Sequence, residues 1–446
     1  MSKDDSQTRS SADTSMQAFV RQMTQELLEL WWDCAPGAAA LPEPEALLGP
    51  SYTQHEQRDR QVYLRRFLET LKAEAGHPPR TAAQQTATQQ RIFAALDALM
   101  DKGLGFGEQH RQLLLSEGFT DAAIQFAQAA RRFDPTISGS AIFQASRNAL
   151  AMNGIQVLIG LPIRLTPAVF AYSMLYPYTD NYLDDPTIAP ETKRAFSQRF
   201  GERLHGAPIT PANAQERAIY DLVGMIEGQY DRATHPQLFA SLLSIHQAQV
   251  TSLRLLQDGT APYEIDVLGI SVAKGGTSVL ADGYLVAGLL SEAQARCLFG
   301  YGAFLQLADD LQDVRVDRKD GLQTIFSQTA GHWPLDGLTS RTISFGSRIL
   351  KGLDAFTAPD TEPLKQLIRL SATQLMIDAV GRARHLHTGP YVRALEVHSP
   401  FRFGFVAECR RRVDRERGSL MGLIEAFALP DQNPATLWEE YNPRQG

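Results

Sequence analysis

The chain has 446 residues, with 43 lysines and arginines against 50 aspartates and glutamates and a formal net charge of −7. That length accommodates one large domain or two ordinary ones, and the composition is that of a globular protein. The modest, dispersed charge forms no basic stripe and excludes a nucleic-acid binder; Cys34, Cys297 and Cys409, far apart and outside any CxxC spacing, exclude a disulfide framework and a zinc site.

Met1 to Ser15 is polar and lacks the apolar core of a signal peptide, and no later run is long and uncharged enough to span a bilayer. A cytoplasmic protein with no transmembrane segment is expected. Residues 1–14, rich in Ser, Asp and Thr, read as a disordered tail. Gln17 to Asp33 shows helical spacing through Phe19, Met23, Leu27, Leu28 and Trp31. Ala35 to Pro50 reads as a linker or irregular arm. Helices follow at about 55–76, 84–103 and 107–132, ending near Asp134-Pro135, where the proline disfavours the α region for its predecessor. This front portion, residues 15–132, carries no clustered chemistry; extra helices on the main bundle and a dimerisation element both remain open for it.

From Ser138 onward helical segments of about 15 to 30 residues succeed one another, broken by Pro and Gly at Pro186–Pro190, Gly206–Pro211, Gly259–Pro262, Ala358–Pro363 and Gly389-Pro390. Alternating β patterns are nearly absent. The expectation is an all-α chain, a bundle of long helices around a core or cavity.

Two acidic stretches stand out. Asp180-Asn181-Tyr182-Leu183-Asp184-Asp185 follows the apolar run Pro167 to Tyr176 and places Asp180 and Asp184 on one helical face. Pro177 falls inside that helix and is expected to kink it. Ala308-Asp309-Asp310-Leu311-Gln312-Asp313-Val314 repeats the pattern with Asp309 and Asp313. Here Phe304, Leu307, Leu311 and Val314 make an apolar stripe, beside a polar face of Gln306, Asp309, Asp310, Asp313 and Asp317. Like charges four apart destabilise a helix by roughly 0.2–0.5 kcal/mol, so a cation between them makes sense of the spacing. Carboxylates without His or Cys nearby suit Mg²⁺, which prefers a few carboxylates plus phosphate oxygens. Such a cluster would stabilise diphosphate as a leaving group. Tyr172, Tyr176, Tyr182 and Phe304 are candidates to line a cavity in which aromatic faces stabilise a carbocation. Against this stands the plainer account that each acidic run is the solvated side of an amphipathic helix.

Asp180-Asn181-Tyr182-Leu183-Asp184 and Phe304-Leu305-Gln306-Leu307-Ala308-Asp309-Asp310-Leu311-Gln312-Asp313-Val314 together resemble the two aspartate-rich motifs of class I isoprenoid synthases, the superfamily of trans-prenyltransferases and terpene cyclases. The resemblance covers roughly Ser138 to Phe427. It implies an isoprenoid-synthase-type helical bundle around an apolar active-site cavity over residues 133–430, with an additional N-terminal helical region and a tail at 431–446. It also implies a trinuclear magnesium cluster and a small-molecule prenyl diphosphate substrate. By position Asp180 and Asp184, with Asp185 beside them, match the metal ligands of the first motif. Asp309 and Asp313, with Asp310, match those of the second. Lys274, in Ala273-Lys274-Gly275-Gly276-Thr277-Ser278, resembles the lysine that holds diphosphate oxygens; a surface lysine before a glycine turn is the alternative. Arg315, Arg318 and Lys319 are candidates to close over the diphosphate, or simply complement a helix C-terminus.

Departures bear on the reaction. Asn181 replaces an aspartate usual in chain-elongating enzymes, Pro186-Thr187-Ile188 stands where an Arg-Arg pair would follow, and Ser138-Gly139-Ser140-Ala141 lacks the basic element expected upstream. Those basic elements build an isopentenyl diphosphate site, so the expectation is a terpene synthase ionising one allylic diphosphate to a cyclic or rearranged product. A trans-prenyltransferase, chain-elongating or head-to-head in the squalene and phytoene manner, is the alternative; Gly283-Tyr284-Leu285-Val286-Ala287-Gly288 is weakly similar to a helix of the head-to-head group. A non-catalytic helical bundle or regulatory subunit is the reading from another class. The oligomeric state stays open, a homodimer being common in this fold. At the C-terminal end, His398-Ser399-Pro400-Phe401-Arg402-Phe403 and Arg410-Arg411-Arg412 offer a lid or basic groups, with Ser399 capping a helix opened by Pro400 as the simpler account.

Overall fold

The computed structural model describes residues 3–34, 48–184, 187–256 and 264–428, apart from the side chains of residues 3–10, 180, 181, 184 and 190. Asp185, most of the 35–50 arm, the break at Gly259–Pro262 and the 431–446 tail lie outside the described residues. Among the described residues the regular elements are all helical. They run α1 (Lys3–Asp33), α2 (Gln54–Gly76), α3 (Ala82–Ala98), a π-helical turn (Leu99–Leu104), α4 (Glu108–Leu114), α5 (Glu117–Phe133), α6 (Gly139–Leu158), α7 (Pro167–Asp184), α8 (Pro190–Leu204) and α9 (Ala214–Gln229). There follow α10 (Pro236–Ser252), α11 (Val267–Ala287), α12 (Glu292–Gln312), α13 (Val314–Asp320), α14 (Ile325–Thr329), α15 (Asp336–Ile349), α16 (Glu362–Arg382), α17 (Gly389–Glu396) and α18 (Phe403–Phe427).

Local chemistry sets many of these boundaries. Thr53 and Glu56 form a reciprocal capping box at the start of α2, and Ser291 with Gln294 does the same for α12. Ser138, Asn213 and Asp266 cap α6, α9 and α11 through their side-chain oxygens. Prolines open α8 and α10, where a missing N–H costs nothing.

Four details differ from expectation. The chain is helical from Lys3, so residues 3–14 are the first turns of α1: Ala12 packs against the core and Asp13 meets His205 at 3.7 Å. Met16, Met23, Leu27 and Trp31 dock one face of α1, and adding turns to a docked helix costs far less than nucleating one. The helix over 84–103 changes at Leu99 into the π turn, which ends at Gly105 with φ +77°. The helix over 107–132 is two helices, because Ser116 adopts an extended conformation and starts α5. Ser399 does not cap α18: its hydroxyl closes a turn with the backbone of Phe401, and the Glu396 carboxylate accepts from the Phe403 amide at 2.8 Å. Pro177, by contrast, is accommodated inside α7, which continues through it to Asp184. The Thr179 hydroxyl donates to the Leu175 carbonyl at 2.8 Å across the same turn.

At the centre lie α11 and α12, packed along their lengths; α1, α6, α7 and α10 surround α11, and α13 to α16 surround α12. The two central helices touch backbone to backbone. A Cβ on Gly275 would lie 2.4 Å from the Gly302 carbonyl oxygen, and one on Gly302 would lie 2.1 Å from that of Gly275. One hydrophobic core runs from Met16 of α1 to Ala428 and includes α5 as well as the later helices. The front helices therefore pack on the bundle: α1 across α10 to α12, α2 against α18, α5 against α6. Gln57 of α2 fastens this contact by donating to the Glu396 and Ser399 carbonyls at 2.8 and 2.9 Å. No described helix is long and apolar enough to cross a membrane.

Candidate functional site

Six helices, α6, α7, α8, α10, α11 and α12, enclose a cavity of about 230 Å³. Its apolar wall comes from Leu175 on α7, Phe200 and Leu204 on α8, and Leu242 and Ile245 on α10, each set spaced to fall on one helical face. Tyr172 and Tyr176 of α7 line it as expected, with Tyr176 half exposed. Tyr182 instead packs on Phe196, with ring centroids 4.7 Å apart. Phe304 is fully buried under Gly346, on the core side of α12 and away from the cavity.

The polar end is built by α11 and α12. Lys274 and Ser278, one turn apart on α11, and Gln306 and Asp309 on α12 all line the cavity. The glycine contact between the two helices allows this closeness, since Lys274 adjoins Gly275 and Gln306 lies one turn beyond Gly302. The Asp309 side chain is exposed, yet its carboxyl is raised above the usual range, first by partial desolvation and then by repulsion from Asp313; Arg147, Lys274 and Arg382 oppose the shift. Asp310 points the other way. It is buried, accepts from Gln306 Nε2 at 2.8 Å, and its Oδ2 has no hydrogen-bond partner among the described residues. Burial pushes it up to about 6. Asp317, also buried, is pushed up to about 7 by desolvation and by Asp310, Asp313 and Asp309. Asp313 is exposed at the junction where α12 ends and α13 begins.

The first motif enters through the backbone. Asp180 and Asp184 occupy the last turns of α7, directly after Thr179, whose side chain lines the cavity; their own side chains, like Asp185, lie outside the described residues. Among the described residues no group of three or more His, Cys, Asp or Glu side chains is placed to hold a metal ion. The donor set of the second motif is nonetheless of one chemical kind, carboxylate oxygens under mutual repulsion with one buried oxygen unpartnered, and that kind fits a hard divalent cation.

Of the basic residues expected to close over the site, Lys274 lines the cavity, whereas Arg315, Arg318 and Lys319 are exposed on α13 and are not among its lining residues. The break at Asp313 starts a new helix there and carries them outward; the Arg318 guanidinium lies beside Gly331. Arg410 pairs with Asp378.

Sequence reasoning missed Asn148, Phe200, Leu204, Leu242, Ile245, His246, Gln249 and Ser278. The spacing 242, 245, 246, 249 marks one face of α10, though nothing in it separates a cavity wall from a packed core. His246 is lowered below the ordinary histidine range by burial, with the Ser197 backbone opposing, and meets Phe200 edge to face at 5.2 Å. Asn148 reaches inward, its Nδ2 donating to Asp282 Oδ1 at 3.1 Å and to Ser173 Oγ at 3.3 Å. Asp282 follows Lys274 and Ser278 on the same face of α11; it is 2% exposed, and burial pushes its carboxyl to about 8, against the Asn148 hydrogen bond.

Comparison of the chain with protein-family models and with curated proteins gave no match to either.

Proposed function

We propose that this chain is a magnesium-dependent class I terpene synthase that ionises a linear allylic prenyl diphosphate and releases a cyclic or rearranged terpene and diphosphate. One observation carries the reading: Asp309 of the second aspartate-rich motif, Lys274, and the helix bearing the first motif all border a single cavity that is also walled by Leu175, Phe200, Leu204, Leu242 and Ile245. A molecule with a charged head and a hydrocarbon body matches that division.

Asp309 and Asp313, with Asp180 and Asp184, would hold the magnesium ions. Magnesium held there would supply charge neutralisation to the diphosphate leaving group. Lys274 donates to diphosphate oxygens from α11, and Gln306 offers its amide beside them. Phe200, Leu204, Leu242 and Ile245 keep water from the hydrocarbon, while the Tyr172 and Tyr176 rings face positive charge as it develops.

The test is incubation of the purified protein and Mg²⁺ with geranyl, farnesyl and geranylgeranyl diphosphates, each with and without isopentenyl diphosphate, followed by mass spectrometry of the extract. A hydrocarbon or alcohol from one allylic diphosphate alone is the expected result. A longer diphosphate that appears only with isopentenyl diphosphate would replace this reading with the prenyltransferase one, and no turnover of any of the three would remove both.

A further inference from the structure

His246 is a lining side chain that neither a metal site nor a diphosphate site requires. His246 projects from α10 into the apolar wall, flanked along its own helix by the lining residues Leu242, Ile245 and Gln249. Its ring is held on two sides. Phe200 meets it edge to face, and its Nε2 lies 3.1 Å from where a Cβ of Gly201 would stand, so α8 leaves space for an imidazole by carrying glycine there. A histidine in an apolar wall has a packing explanation, and the Ser197 backbone engages one of its ring nitrogens by a hydrogen bond, but phenylalanine or leucine would fill the same volume without desolvating the other nitrogen.

Resting on the carbocation reading given above, we propose that His246 is the base that ends the reaction, taking a proton from the carbon next to the cationic centre so that the product leaves as an alkene. The imidazole lone pair forms the N–H bond, the C–H electron pair becomes the new C=C bond, and the cationic carbon is neutralised. The imidazolium then returns its proton to solvent, and no oxidant or other co-reactant enters.

The other described polar groups of the cavity suit this step less well. Lys274 as an ammonium has no lone pair and sits at the charged end with Asp309. The Asn148 amide nitrogen is engaged by Asp282 and Ser173. Tyrosine hydroxyls and the Gln249 amide are far weaker bases than imidazole. Burial keeps His246 neutral, which serves the chemistry twice: a permanent positive charge there would repel the cation, and the imidazolium formed is readily discharged. The lowered basicity does not impede proton capture, because a C–H bond beside a carbocation is strongly acidic.

The experiment compares wild type, His246→Phe and His246→Ala with the allylic diphosphate that the wild type turns over, reading diphosphate release and product identity separately. His246→Phe keeps the ring volume without a lone pair. Expected, per diphosphate released, is replacement of at least half of the wild-type alkene by an alcohol or by an alkene with its double bond elsewhere. In His246→Ala, added imidazole should restore the original alkene. Unchanged alkene from a folded His246→Phe variant that releases diphosphate normally would overturn the role of His246 alone, leaving the terpene-synthase reading intact. So would a wild-type product that is itself an alcohol, which needs no such base. A wild type that releases no diphosphate from any allylic substrate overturns both.

Discussion

Gly275 of α11 and Gly302 of α12 face each other so closely that neither position has room for a side chain, the obstructing atom in each case being the carbonyl oxygen of the other. This contact sets the distance between the helices that carry Lys274 and Asp309. Replacing Gly302 with alanine would gain up to about 1 kcal/mol of helix propensity. The clash with rigid backbone costs more, roughly 1–3 kcal/mol for overpacking. We therefore expect Gly302→Ala to lower the urea midpoint, and to weaken binding of inorganic diphosphate in calorimetry even where the variant remains folded.

Asp309 is a second place where function and stability oppose each other. Its carboxyl is raised by desolvation and by Asp313, so the ionised form is disfavoured in the folded chain. Asp309→Asn removes that repulsion. The melting temperature at pH 7.5 should be unchanged or higher, while diphosphate release falls by about 100-fold or more, the scale on which one electrostatic partner of a transition state acts. A clear drop in melting temperature would show that Asp309 is a structural group.

Asp282 predicts a pH dependence of stability. Its folded pKa, about 8, lies above the ordinary aspartate value, so between roughly pH 4 and 8 the folded state binds the proton more tightly than the unfolded state. Stability from this group is complete below the unfolded value and is lost as pH rises through the folded one, with a slope of up to about 1.4 kcal/mol per pH unit. Asp282→Asn keeps an acceptor for Asn148 and cannot ionise. Denaturant titrations at pH 5.5 and 8.0 should show the variant gaining on the wild type at the higher pH; parallel curves would mean that Asp282 is ionised in the fold.

Phe200 is expected to set how long a hydrocarbon the cavity takes. Its ring stacks on Phe196 with centroids 5.9 Å apart and forms part of the cavity wall. Phe200→Ala should move substrate preference toward a longer allylic diphosphate in competition assays, at a cost of about 3–5 kcal/mol for a buried aromatic. Phe200→Leu should make a smaller shift at lower cost, and no shift in either variant would place the chain-length boundary elsewhere.

Much of this architecture is legible in the amino-acid order. The stripe Phe304, Leu307, Leu311 and Val314 turns inward as its spacing requires, each side chain 1% exposed or less. Many helix ends fall where capping residues or prolines stand. What escaped has physical causes. Apolar residues three and four apart look the same whether they meet another side chain or an open cavity, so the walls from α8 and α10 were invisible. The basic run after Asp313 reads as continuous with the acidic helix, yet the chain turns at that aspartate and takes Arg315, Arg318 and Lys319 outward. Asp282 sits singly in an apolar helix, and only the approach of Asn148 from 134 residues earlier joins it to a residue that lines the cavity.

The docking of α1 has a consequence for how the chain is made. Its buried face rests on α10, α11 and α12, which begin about 200–260 residues later in synthesis. At about 5–20 residues per second, Met16, Met23, Leu27 and Trp31 wait roughly 10–50 seconds on the ribosome before their partners are made. The apolar stripe of α1 thus stays uncovered until α10, α11 and α12 have been made.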